Sequence, residues 1–293
     1  MTQKKVKFLI MSVGEYEGNV TTKYLLRMKT PKDRIIVCLP NCYSENAASY
    51  ERHGLQVYLY DEKKYINDDF EFLGFKPRNN GGVGRQGIAE AAETLKADDV
   101  LFVQLDDDYV GLRVRTADHC DREGVFGEVE RFYNVCDEFW RETGIRVVGS
   151  HSAVFPKPDS PFVTHKEFNN FIMRGTDRWD YDGFKQYVSD DVRYNVYRSI
   201  LKCEPCCNLK ACYVNFGKVQ GERKDGNAVI YNGDYAFKKA YALQLMFPWA
   251  ADLRLYKMPD GTGVQYREQV STGFYFPKVI LESGDGTMQI ARI

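Results

Sequence analysis

Apolar positions in this chain come in short strand-length blocks, and the stretches between them carry helical spacing. VKFLIMSV reads as a first strand, residues 20–28 have the spacing of a short helix, and RIIVCLP is a second strand stopped by Pro40. Residues 45–53 read as helical and end at Gly54, ahead of a third strand in LQVYLY. A polar connection rich in Asp, Asn and Gly follows. GIAEAAETLKA then predicts a helix of strong formers, and DDVLFVQLDDD predicts the next strand. Between residues 124 and 142, Val129, Phe132, Tyr133, Cys136, Phe139 and Trp140 fall on one side of an amphipathic helix, and RVVGSHSAVF returns as a strand. Strands separated by helices of this length imply right-handed crossovers. The expected fold class is therefore α/β, a Rossmann-like and mostly parallel central sheet with helices on both faces.

The pattern changes after Pro156. Residues 156–207 are aromatic and charged, and we expect an insertion or subdomain there, over one edge of the site, within one domain spanning residues 1–293. The apolar pattern resumes in NLKACYVNF, a helix at 235–246 and a strand in DLRLYKM, and the glycine-bearing last thirty residues suggest strand and loop pairs. No internal repeat or low-complexity tract is present.

A formal net charge of -1 provides no global basic field to draw the chain to nucleic acid or anionic membrane, so any such partner must be recognised by a local patch. The apolar run near the N-terminus is too short for a signal peptide core or a membrane span. A cytoplasmic protein without a membrane partner is expected. Eight cysteines scattered through a long chain fit a reducing compartment. The cluster of Cys203, Cys206, Cys207 and Cys212 could hold zinc or iron–sulfur, but no matching pair lies at a usual downstream spacing, so reduced thiols are the simpler reading.

The candidate chemistry is concentrated where LFVQL runs into Asp106, Asp107 and Asp108. Adjacent carboxylates repel one another, and a cation relieves that repulsion. Asp106 and Asp108, two apart on an extended chain, would project to one side. Their oxygens suit Mn or Mg, which also holds substrate phosphates. A solvated acidic turn closing a strand is the alternative. In parallel sheets ligands collect beyond the carboxyl ends of the strands, and the triplet sits at such an end.

The run NNGGVGRQGIAEAAETLKADDVLFVQLDDDYV resembles the GT-A fold nucleotide-sugar glycosyltransferases: a glycine-rich turn, an arginine, a helix, a strand, then Asp-x-Asp. The later run IYNGDYAFKKAYALQLMFPWAADLRLYKM is similar to the family segment in which an acidic pair opens a helix followed by a strand. The resemblance implies the GT-A fold, Mn or Mg on Asp106 and Asp108, and a nucleotide-diphosphate sugar, a uridine diphosphate sugar first among them, as donor. It places Asp107 on ribose or sugar, or in orienting the loop. Gly81, Gly82 and Gly84 would let the backbone approach a ligand, with Arg85 gripping phosphate or sugar; the alternative for Arg85 is a surface arginine opening a helix. Asp234 matches the position of the general base in inverting members, although glycine stands where the pair's first acid belongs, and a dipole-favoured helix start explains it equally. A further metal ligand, often histidine, would fall to Glu282, Asp285 or water. The base is expected near Ser12, Val13 and Gly14, with Asp61 as a base or ribose contact. His151 either touches sugar or is a structural histidine.

The acceptor is less defined. Arg174, Arg178, Trp179, Tyr181, Arg193, Tyr194, Tyr197 and Arg198 could stack on bases or sugars and pair with phosphates, or form a solvated helical face, since Asp177, Asp180, Asp182, Asp190 and Asp191 cancel much of their charge. The chain's size and layout also resemble the phage TET-associated glycosyltransferases, which implies a hydroxymethylated pyrimidine of DNA as acceptor and the host cytoplasm as location. The competing functions are a sugar-nucleotide pyrophosphorylase, disfavoured by VGEYEGN after the first strand, and a non-catalytic nucleic-acid or protein-binding module.

Overall fold

The computed structural model describes residues 3–65, 81–115, 121–143, 148–152, 162–164, 172–173, 207–216, 241, 244–245, 251–257, 264–270, 280–282 and 288–290. The predicted strands and helices of the first half are present. Strand β1 (Lys5–Met11) leads to α1 (Val20–Arg27), β2 (Ile35–Pro40), α2 (Ala47–Glu51), β3 (Gln56–Tyr60), α3 (Gly81–Thr94) and β4 (Val100–Asp106). These four strands lie side by side in the order β3-β2-β1-β4, all parallel, which makes the fold α/β and Rossmann-like. The order reverses at β1: β2 and β3 lie on one side of it and β4 on the other. Its registers pair Met11 with both Cys38 and Asp106, so the carboxyl ends of β1 and β4 finish level.

Beyond β4 the chain continues as β5 (Tyr109–Arg115), β6 (Asp121–Glu123), α4 (Phe126–Thr143), β7 (Val148–Ser152), β8 (Phe162–Thr164), β9 (Ile172–Met173) and β10 (Cys207–Phe216). β5 does not continue the first sheet. It belongs to a second one, ordered β6-β5-β10-β7, to which β8 adds on β10. β9 adds antiparallel to the free side of β4. Two short strands from the region expected as an insertion therefore pair with both sheets; the rest of it, including its arginines and aromatics, lies outside the described residues. β11 (Ala251–Lys257) pairs with β12 (Val264–Val270), and β13 (Ile280–Glu282) with β14 (Met288–Ile290). Of the helix expected at 235–246, residues 241, 244 and 245 are described, and they are helical.

The two faces of the first sheet are packed differently. Val6, Phe8 and Ile10 of β1, Ile35, Val37 and Leu39 of β2, and Leu101, Val103 and Leu105 of β4 form one face, with α1 and α4 over it. Tyr24, Leu25, Val129, Phe132, Tyr133 and Trp140 complete that core, and Phe8 meets the rings of Phe126 and Tyr133 edge-on. α3 covers the other face. Its small residues recur at 84, 87, 91 and 92, a stripe that lets the helix lie close to the strands. A Cβ at Gly84 would stand 2.1 Å from Met11 Sδ, and one at Gly87 would stand 2.5 Å from the Tyr60 ring.

This corrects the reading of the glycine-rich run as a turn. Gly81, Gly82 and Gly84 belong to α3, which starts six residues before the helix predicted from GIAEAAETLKA. Glycine costs a helix about 1 kcal/mol relative to alanine, and burial of Val83, Ile88, Ala91 and Ala92 against the sheet offsets it. Gly84 thus lets α3 pack against Met11. Smaller differences occur at α2, where a 3-10 turn (Asn41–Asn46) precedes a shorter helix, and where Gly54 ends the segment as expected, at φ 72.

Candidate active site at the sheet switch point

The acidic triplet lies where the strand order reverses. Strand geometry stops at Asp106, Asp107 and Asp108 form a two-residue turn, and Tyr109 opens β5 toward the second sheet. The expectation that Asp106 and Asp108 alternate along one extended strand is therefore replaced by a tight turn that joins two sheets. All three aspartates are half-buried.

The start of α1 grips this turn through its backbone. The amides of Val20 and Thr21 donate to the Asp107 carbonyl at 3.0 and 3.1 Å. The Thr21 hydroxyl donates to the Asp106 carbonyl at 2.6 Å and accepts from the Tyr109 amide at 2.8 Å, bridging the two ends of the turn. Asn19 caps the helix by accepting from Thr22 N at 2.8 Å. A free helix N-terminus is a natural phosphate site, but here the first amides of α1 are already engaged by Asp107.

A side-chain network reinforces the same turn. Ser12, at the end of β1, donates to Asp107 Oδ2 at 3.0 Å and lies 3.3 Å from the Tyr50 hydroxyl. Tyr50 donates to the Gly14 carbonyl at 2.9 Å and accepts from Asn19 Nδ2 at 3.2 Å. Ser12, Asn19 and Tyr50 are all buried. Burial pushes the Tyr50 phenol above its ordinary value, its bonds to Ser12 and Asn19 pull it back, and Asp107 raises it again. Ser12 and Asp107, both expected as ligand contacts, thus contact each other. Gly14 keeps an open surface, since a Cβ there would meet nothing within 4 Å, and Val13 beside it is 43% exposed.

Arg85 stands across from the turn. It follows Gly84, which packs on Met11, and Met11 is the register partner of Asp106, so the helix delivers the guanidinium to the end of β4. Nη1 lies 3.6 Å from Asp106 Oδ1. Arg85 is only 4% exposed, which excludes the surface-arginine alternative. Tyr109 lies fully buried near these charges: desolvation pushes its phenol well above its ordinary value, Asp106 adds to this, Arg85 offsets part of it and Asp108 adds again. The phenol stays a neutral donor at any physiological pH.

The remaining expected contacts fall elsewhere or outside the described residues. Asp61 caps the 3-10 turn Glu62–Lys64, its carboxylate accepting from Lys63 N at 3.2 Å. His151 lies in β7, in register with Tyr213 of β10. Asp234, Asp285, Cys203 and Cys206 lie outside the described residues, and Glu282 is in β13. Asn19, Thr21 and Tyr50 were not singled out by sequence. Asn19 carried a signal, an N-cap residue before a helical run; Thr21 and Tyr50 carried none.

Among the described residues no three His, Cys, Asp or Glu side chains converge as a dedicated metal cage. The hard carboxylate oxygens of Asp106 and Asp108 fit an ion of another kind, one held by one or two carboxylates and completed by water and substrate phosphates, as Mg and Mn commonly are. No described helix is long and apolar enough to cross a membrane.

No protein-family model and no curated protein matches this chain. A solved structure described as "Crystal Structure of a Mycobacterial Protein" is similar over 91% of this chain and 83% of that one, with 10% sequence identity and a TM-score of 0.45. A likeness of that strength carries no argument about activity, so the chemistry rests on the site itself: three carboxylates and a buried arginine, meeting an open surface where the strand order reverses.

Proposed function

We propose that the protein is a metal-dependent glycosyltransferase that moves a sugar from a nucleotide-diphosphate sugar to a hydroxyl acceptor. The observation that carries this reading is the position of the Asp106–Asp108 turn at the carboxyl ends of β1 and β4, beside the open surface at Val13 and Gly14 and within reach of the buried Arg85. Crevices at such points are where open α/β sheets bind nucleotides. Asp106 and Asp108 would hold Mn or Mg, which supplies positive charge to a departing diphosphate. Arg85 adds a fixed positive charge on the same side, and its planar fork suits phosphate oxygens. In the transfer, the acceptor oxygen forms a bond to the anomeric carbon as its proton passes to a base, and the bond from that carbon to the diphosphate breaks with its electrons leaving on oxygen. Asp234 remains our candidate base on the strength of its sequence position.

The acceptor proposal is a hydroxymethylated pyrimidine in DNA, which would have to leave the base stack to bring its hydroxyl to the sugar. Support for it comes from layout and the interleaved arginines and aromatics of residues 174–198.

Thermal stability measured against UDP, GDP, CDP and dTDP, each with and without Mn, tests the donor half. A ligand that binds only the folded state raises Tm by mass action. We expect one nucleotide to stabilise the wild type only with Mn, and Asp108→Asn to abolish the effect. No response to any nucleotide overturns the enzyme reading in favour of a binding module, for which nucleic-acid titration is the next experiment.

A further inference from the structure

Two buried hydroxyls that present no charge to a ligand make hydrogen bonds converging on the aspartate turn. The Thr21 hydroxyl, 1% exposed, joins the carbonyl at the turn's entry to the amide at its exit. The Tyr50 hydroxyl, fully buried, ties Ser12, and through it Asp107, to the Gly14 carbonyl and the Asn19 amide. Between them these two side chains fix the turn from its backbone and from its central carboxylate. Such a turn has to hold Asp106 and Asp108 at a set separation, because a small octahedral ion tolerates little error in the placement of its ligands.

We infer that Thr21 and Tyr50 are positioning residues that set the geometry of Asp106 and Asp108 for cation and diphosphate binding, and that Asp107 is their anchor rather than a contact to ribose or sugar. The inference rests on the proposed nucleotide-sugar reading. Thr21→Val keeps the shape of the side chain and removes the bridge, leaving the Asp106 carbonyl and the Tyr109 amide to relax apart. Tyr50→Phe removes one hydroxyl from three partners. Thr21→Ser restores the bridging hydroxyl. Tyr24→Phe is the control: its hydroxyl, also buried and also on α1, donates to the Leu112 carbonyl at 3.1 Å, away from the turn.

The test is calorimetric titration of wild type and variants with Mn plus the nucleoside diphosphate, of UDP, GDP, CDP and dTDP, that stabilises the wild type, together with urea unfolding of each. Thr21→Val and Tyr50→Phe are expected to raise Kd about tenfold, Thr21→Ser to stay within about twofold of wild type, and Tyr24→Phe to lose similar stability with Kd unchanged. Should Thr21→Val fail to fold, Tyr50→Phe carries the test. Unchanged Kd in the hydroxyl-deleted variants, or an equal rise in Tyr24→Phe, overturns the positioning role while leaving the donor reading intact. A wild type that binds none of the four nucleotides overturns both.

Discussion

The face of the sheet under α1 and α4 and the face under α3 are built on different principles. Under α1 and α4, large apolar side chains interlock: Phe8, Ile10, Leu105, Tyr133 and Trp140 fill the space between strand and helix, and the helices stand off by the size of those groups. Under α3 the helix comes close because glycine and alanine line it, and polar groups are buried there. Gln104 is fully buried with no hydrogen-bond partner for either amide atom among the described residues, and Arg85 is buried against Asp106. Close approach and buried polarity go together here: α3 lies near enough to the strands to carry a guanidinium to the end of β4. The first face provides stability, and the second spends some of it to bring charge to the switch point.

Removing mass from the apolar face should have the largest effect. Phe8→Ala is expected to lower stability by about 3–5 kcal/mol, because its ring packs between Phe126 and Tyr133 with no exposed edge. Urea unfolding would show this, and a loss below about 1 kcal/mol would mean that the face is not the interlocked core described.

Adding mass to the α3 face should come next. Gly87→Ala directs its methyl into the Tyr60 ring, which is 1% exposed and has no room to withdraw, and a loss of about 1–3 kcal/mol is expected. Gly84→Ala meets the flexible end of Met11 instead, so its cost should be the smaller of the two. The reverse order in urea midpoints would show that α3 pivots on Met11 rather than on Tyr60.

Buried polar groups give a finer test. Gln104→Met replaces an unsatisfied amide by an apolar chain of similar shape, and stability is expected to rise by about 1–2 kcal/mol. Thr22 offers the matching experiment on the other face, since its buried hydroxyl has no partner among the described residues while that of its neighbour Thr21 has two. Thr22→Val should change stability by no more than about 0.5 kcal/mol or raise it, and Thr21→Val should lower it by about 1–3 kcal/mol. Equal losses at the two positions, read from paired thermal melts, would show that the hydroxyl bridge contributes nothing beyond β-branched packing.

How much of this was legible in the sequence depends on which residues are asked. The strands were readable because Val6 to Met11 and Val100 to Leu105 are apolar apart from Lys7 and Gln104, nearly continuous runs of the kind that strands covered on both faces require. The position of the aspartates at a strand end was readable for the same reason. The start of α3 was not: Gly81 to Gly84 have the local propensity of a turn, and packing of α3 on the sheet, with Val83 buried and Gly84 against Met11, accompanies their helical form. Arg85 was legible as a candidate but not as a buried one, since its burial depends on how closely α3 approaches. Ser12 and Asp107 were legible as polar residues at strand ends, but the sequence could not show that they face each other, 95 residues apart.

The sequence alone therefore determined the strands and helices up to β4 to within a few residues, the α/β class and the clustering of acid after β4, because hydrophobic period and chain stiffness act over a few residues. Tertiary structure decided what those residues do. The level ends of β1 and β4, the close seat of α3 and the grip of Thr21 and Tyr50 on the turn arise from contacts between distant segments, and no local pattern encodes the distance between groups that meet only when the sheet has formed.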